Sequence, residues 1–351
     1  MRFRVLDLYR FFAAVLVMAY HYLASFNAHF HGASPYVDFF FMLSGFVIMR
    51  GYANRMSTRE AFSNFLYARF ARLYPLYFAT TTVWVVLAAL ASVGAFHPEH
   101  AIQFSASEVI QQYLLSHAWG TTQALNLNGP SWSISAEWAV YLLFPLFIML
   151  RRRFGDTALL ALAITAIFGL EMVNHVWFPK TRSWLEWTYD FGAVRAVPNF
   201  LIGMWLSTVT GWGVRLKALG VKAGLLLFAL SVPLNLIEAP TVVVLLDLAA
   251  TLYFTACGEL RQEGAWLADP RLVCFGDASY AIYMLHTLTL SIFATALRPL
   301  LHEAWPTMPV IMILTIAVGL LSYAAFERPA QTWLRKLRAA PSAKIHFAKL
   351  A

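Results

Sequence analysis

Ten apolar runs of spanning length, or close to it, follow one another along these 351 residues. They lie at about 5–24, 36–50, 74–95, 132–150, 157–177, 194–210, 222–236, 240–257, 275–297 and 309–326. A helix needs roughly 20 apolar residues to cross a bilayer, so 36–50 and 222–236 are short and must be tilted, broken or lengthened by their flanks. Hydrophobic residues make up 60% of the chain and charged residues 13%, against roughly 25% charged in soluble domains. Only about 51–73 and 96–131 remain as sizeable loops, and no linker, low-complexity segment or internal repeat interrupts the pattern. The expected fold is an all-α membrane bundle of about ten transmembrane helices over 1–330, followed by a basic cytoplasmic tail, 331–351.

The net charge of +8 could suggest a polyanion partner, but its placement points elsewhere. With the N-terminus in the cytoplasm and the helices alternating, the inside segments collect Arg2 and Arg4, then Arg50, Arg55, Arg59, Arg69 and Arg72. Further along they collect Arg151 to Arg153, Arg215, Lys217, Lys222, Arg261, Arg271 and the basic residues from Arg328 onward. The outside loops keep only Lys180 and Arg182. That bias is the positive-inside signature of a multi-pass protein with both termini cytoplasmic, in the cytoplasmic (inner) membrane. The basic charge therefore records topology, and no nucleic-acid partner is expected. Arg2 and Arg4 before an apolar run could open a signal peptide, but Asp7 and Arg10 interrupt the run, so it reads as a retained first helix. Cys257 and Cys274 both map to cytoplasmic helix ends, where a disulfide is not expected and a packing role is.

Against this apolar background a few ionisable side chains stand out. Asp7, Arg10 and His21 fall in the first run, Glu137 in the fourth and His286 in the ninth. Each costs about 2.5–3.5 kcal/mol at bilayer depth, so such groups normally face a bundle interior and work there. Positions 7, 10, 14, 17 and 21 recur every three or four residues, forming one helix stripe. Arg10 and His21, eleven residues apart, would point within roughly 20° of each other and about 16 Å apart along the axis. Asp7 is placed to pair with Arg10. The blander reading of this stripe is a structural ion pair with a buried, hydrogen-bonded histidine.

These residues also carry a resemblance. Leu6-Asp7-x-x-Arg10, continuing through Ala13, Ala14 and Val17 to His21, resembles the opening helix of the membrane-bound acyltransferase 3 family. So do Val37-Asp38-Phe39-Phe40-Phe41-Met42-Leu43-Ser44-Gly45-Phe46 and Arg69-x-x-Arg72-x-Tyr74-Pro75. The series continues with Trp132-Ser133-Ile134-Ser135-x-Glu137-x-x-x-Tyr141 and Ser279-Tyr280-x-x-Tyr283-x-x-His286, and closes on Glu327-Arg328-Pro329. The motifs run in order from residue 6 to residue 329, with Ile134 standing where Leu is usual. The resemblance implies transfer of an acyl group, most often acetyl, from cytoplasmic acyl-CoA to a hydroxyl on a carbohydrate or lipid-linked glycan at the outer face.

The residue chemistry is compatible with that expectation. Arg69 and Arg72, spaced i,i+3, could clamp the phosphates of acyl-CoA through paired guanidinium donors, or serve as ordinary positive-inside anchors. Arg10 could steer the pantetheine arm or a phosphate, and Pro75 suits the first turn of the helix that follows. A sugar hydroxyl needs a base that titrates near operating pH, and His21 is the candidate. Glu137 could orient His21 or be the base itself. Tyr283 and His286 share a helix face and are assigned to site shaping or acceptor contact; Asp38 could pair with Arg195 or bind the acceptor. Ser44-Gly45 reads as a close packing point. The remaining histidines (29, 31, 97, 100, 117, 175, 302 and 346) show no metal-ligand spacing, so no metal is expected. The competing class, a proton-coupled transporter or exporter, would favour paired, Gly- or Pro-broken helices in a two-fold repeat, which is not seen.

Overall fold

The computed structural model describes residues 2–25, 34–95, 105–124, 127–178, 183–297 and 304–339. Among them every regular element is helical and there is no strand. The long helices are α1 (Arg4–Ser25), α2 (Ser34–Tyr52), α3 (Arg59–Ser92), α5 (Trp132–Phe154), α6 (Thr157–Trp177) and α7 (Gly192–Arg215). After these come α8 (Val221–Leu236), α9 (Thr241–Leu260), α10 (Pro270–Leu297) and α11 (Ala304–Ser322). A short α4 (Ala106–Tyr113) precedes α5, and α11 runs through a π-turn (Tyr323–Glu327) into α12 (Arg328–Ala339). Each of the ten apolar runs thus lies in a helix of its own. Six stretches are long and apolar enough to cross a membrane: Arg4–Ala24, Arg59–Ser92, Gly129–Phe154, Thr157–Trp177, Thr241–Leu260 and Thr307–Arg338.

Local chemistry explains several helix starts. The first turn of α1 has backbone donors that no residue of its own helix can accept. The Glu259 carboxylate on α9 takes two of them, from Val5 (3.0 Å) and Leu6 (3.4 Å). Thr58 caps α3 by accepting from the Ala61 amide, and Ser105 with Glu108 forms a reciprocal capping box on α4.

The loop expected at 51–73 is mostly helix. α3 begins at Arg59 and continues unbroken through Pro75, which sits deep in the helix instead of opening it. Apolarity marks only the part of a helix that can lie in lipid, so the polar, arginine-bearing turns before Tyr74 were read as loop. The same cause hides α12, whose basic turns pack on α3 through Arg338, bonded to Asn64 and Ser63. Cys257 is buried as expected, but Cys274 is exposed and packs nothing. The loop 25–35 for the most part, most of 96–104, Lys180, Arg182, the tail beyond 339 and His29, His31, His97, His100, His302 and His346 lie outside the described residues.

α7 is the hub, packing on α2, α5, α6 and α9. Its contact with α2 is backbone against backbone. A Cβ on Gly203 would fall 1.9 Å from the Met42 carbonyl oxygen, and one on Gly45 would fall 2.1 Å from that of Phe200. Small residues let membrane helices approach this closely. α1 lies against α10 and α2, with α9 and α11 alongside, while α3 reaches α5, α10 and α12. α1, α2, α3, α5 and α10 thereby enclose a common interior.

Candidate active site

That interior contains a small cavity of about 80 Å³. Arg10 from α1, Arg69 and Arg72 from α3, and Glu137 from α5 line it, together with Ser44 of α2 and Tyr283 of α10. Three guanidinium groups face one carboxylate in it, so the space favours a ligand with several negative charges. Arg10 is held by Asp7 at 3.2 Å, and Asp7 is tied in turn to Arg2 at 2.7 Å. Arg2 also binds Asp277, about two turns into α10. Arg69 donates to the Tyr52 hydroxyl (3.3 Å) with its guanidinium over the Tyr52 ring, and its Nε has no partner among the described residues. Arg72 lies within electrostatic reach of Tyr141, Glu327, Asp7 and Glu137.

The Tyr141 hydroxyl, one turn along α5, donates to Glu137 at 2.5 Å. With that proton committed, Ser44 donates to the Tyr141 oxygen at 3.0 Å. Ser44 is thus a link between α2 and α5, and Gly45 is the packing point expected of it. On the far wall, Tyr283 reaches Ser133 (2.9 Å) and the Pro130 carbonyl (3.2 Å), while its ring meets Phe40 edge to face.

His21 and His286 are not part of the cavity lining. They meet each other beyond Tyr283, His21 Nδ1 to His286 Nε2 at 2.8 Å, and His286 Nδ1 lies 2.5 Å from the Tyr283 carbonyl oxygen. His286 is fully buried and His21 half-buried. The neighbour that His21 hydrogen-bonds is His286, while Glu137 accepts from Tyr141 among the arginines. His286 is thus in direct contact with the candidate base.

Asp38 takes the first of its two alternatives, the pair with Arg195. It is wholly buried and takes Arg195 Nη2 at 2.8 Å, Arg195 Nε at 3.1 Å and the Asn199 amide at 2.9 Å. Arg195 spends its other donors on the Trp187 carbonyl and Ser34, and stacks over Trp132. Through these bonds Asp38 ties α2 to α7.

Reading the sequence missed the role of Glu327. The π-turn carries it inward, 4% exposed, within reach of Arg72 and with Oε2 unpartnered. A carboxylate closing an apolar run was the available signal. Among the described residues no three His, Cys, Asp or Glu side chains gather as metal ligands.

Comparison with known proteins supplies a family. Residues 3–324 match an acyltransferase domain family. The Acyltransferase MdmB of Streptomyces mycarofaciens is 28% identical over 280 residues, covering 72% of this chain and 67% of that protein. Nodulation protein 10 of Rhizobium leguminosarum bv. viciae is 24% identical over 329 residues, 85% of this chain and 82% of that protein. The Peptidoglycan O-acetyltransferase OatA of Listeria monocytogenes serovar 1/2a is 26% identical over 183 residues, 49% of this chain but only 28% of that protein. No solved structure matches the chain.

Proposed function

This chain belongs to the acyltransferase 3 family, and we propose that it moves an acyl group, acetyl by preference, from cytoplasmic acyl-CoA to a hydroxyl of a carbohydrate or lipid-linked glycan at the outer face. The similarity to the Peptidoglycan O-acetyltransferase OatA suggests a peptidoglycan-like acceptor. The observation that carries this reading is the cavity where Arg10, Arg69 and Arg72 converge, on the same α1 stripe that leads to His21 about 16 Å further along. The arginines take the phosphates of the donor, Glu137 balances their charge, and the pantetheine arm runs past Tyr283. Ten spans with both termini cytoplasmic would place the arginines towards the cytoplasm and His21 towards the outer face.

The reaction then needs one proton carrier. His21 accepts the proton of the acceptor hydroxyl as its oxygen attacks the thioester carbonyl. The new C–O bond forms, the C–S bond breaks, and His21 returns the proton to the departing CoA sulfur. Base catalysis of this kind contributes about 10²–10⁴-fold.

The test uses purified protein in proteoliposomes, acyl-CoA inside and an isolated glycan outside. Replacing both Arg69 and Arg72 by Ala should weaken CoA binding at least tenfold while the protein stays folded. Lysines should restore it only in part, because a point charge lacks the planar donor fork. His21→Gln should bind the donor normally yet lose about 10²–10⁴ in turnover. Unchanged CoA affinity in the double alanine variant would return the arginines to membrane anchoring.

A further inference from the structure

We propose that His286 is a positioning residue that fixes the tautomer of His21, leaving His21 Nε2 as the bare lone pair that takes the acceptor proton. The inference rests on the base role of His21 given above and deepens it.

The argument is a count of protons along a chain of three groups. A backbone carbonyl oxygen can only accept, so the 2.5 Å contact between His286 Nδ1 and the Tyr283 oxygen puts a hydrogen on Nδ1. A neutral imidazole carries one N–H, so His286 Nε2 is then an acceptor. It lies 2.8 Å from His21 Nδ1, which must supply the hydrogen. His21 Nδ1 being protonated, its Nε2 is left without one. The ring geometry agrees with a bond in the ring planes: centroids 4.9 Å apart and planes 14° from parallel place the two imidazoles side by side, edge to edge.

The alternative charge state fails on burial. A doubly protonated His286 would reverse the first link, making His21 Nδ1 the acceptor and its Nε2 the N–H, useless as a base. That state would set an imidazolium at a fully buried position. Among the described residues its hydrogen-bond contacts are His21 and the Tyr283 carbonyl, with no carboxylate to pair a charge. An unpaired buried charge is too costly to hold. The neutral chain is therefore the stable one.

This arrangement does in the membrane what a carboxylate does behind a catalytic histidine in water-soluble enzymes. It holds the ring and tautomer, and it accepts more strongly from His21 Nδ1–H once His21 is protonated. It does so without a permanent buried charge. The only charge appears during transfer and disappears when CoA leaves.

Two substitutions at 286 separate positioning from packing. His286→Gln can put its amide oxygen near the place of Nε2 and still accept from His21. His286→Asn can put its amide nitrogen near the place of Nδ1 and still bond the Tyr283 carbonyl, but falls short of His21. We expect the Gln variant to keep kcat within about tenfold and the Asn variant to lose on the order of 10²–10⁴, the upper end being the scale of a wrong-tautomer histidine. The KM for acyl-CoA should stay unchanged in both. Adding His286→Asn to His21→Gln should cost nothing more. Asn turning over as fast as Gln, or both equally slow with normal donor binding, would overturn the proposal. ¹⁵N-histidine spectra of the unsubstituted protein give a second reading that needs no variant to fold: a hydrogen on His21 Nε2 overturns it, one on Nδ1 supports it. Full turnover by His21→Gln would instead remove the base role itself.

Discussion

Arg195 is 1% exposed in an apolar bundle, and each of its three guanidinium nitrogens donates a hydrogen bond there. Removing one partner from such a pair leaves an uncompensated buried charge, at about 3–5 kcal/mol. Asp38→Ala should therefore lower the yield and melting temperature of the purified protein. His21→Gln should melt with the parent and lose turnover only. Equal melting of the Asp38 variant would put Asp38 back in contact with acceptor. Glycine positions divide in the same way. Gly203→Ala drives a methyl into the Met42 carbonyl and should cost about 1–3 kcal/mol, as overpacking does. Gly211→Ala meets nothing within 4 Å and should be silent in the same melt.

At the scale of elements, α3 is one rod of 34 residues, about 50 Å long, well beyond the roughly 30 Å hydrocarbon core. It carries Arg69 and Arg72 on the same rigid piece that Tyr77 pins to the last turn of α4, just before the segment that leads to α5. That segment has its own sensitive point. His117 donates from Nε2 to Ser131 at 3.1 Å, Ser131 having given its proton to the Asn128 carbonyl. Burial pushes the His117 imidazole down from 6.5 to about 4. The folded state then binds fewer protons than the unfolded chain, so this contribution is complete above pH 6.5 and fades as pH falls towards 4. The melting temperature should drop over that window. His117→Gln, which keeps a donor to Ser131 and cannot titrate, should show a shallower drop; identical profiles would acquit His117.

At the scale of the molecule, the basic segments should all lie on one side. Reporter fusions after residues 60 and 351 should read cytoplasmic and one after 115 should read outside. An outside signal at 60 would invert the map. Much of this was legible in one dimension. Hydropathy located every long helix because lipid sorts residues by apolarity alone, and the Arg10–His21 stripe followed from helical periodicity. The six ordered motifs pointed to acyl transfer before any contact was known. What stayed hidden was which polar faces meet. His21 finds His286 265 positions away, and Asp38 finds Arg195 157 positions away. Glu137 turns to Tyr141 within its own helix, and a π-turn swings Glu327 towards Arg72. Periodicity says that a side chain faces inward. The partner it meets there depends on how helices cross, and that depends on close approaches such as Gly45 and Gly203, which exist only once the bundle has closed.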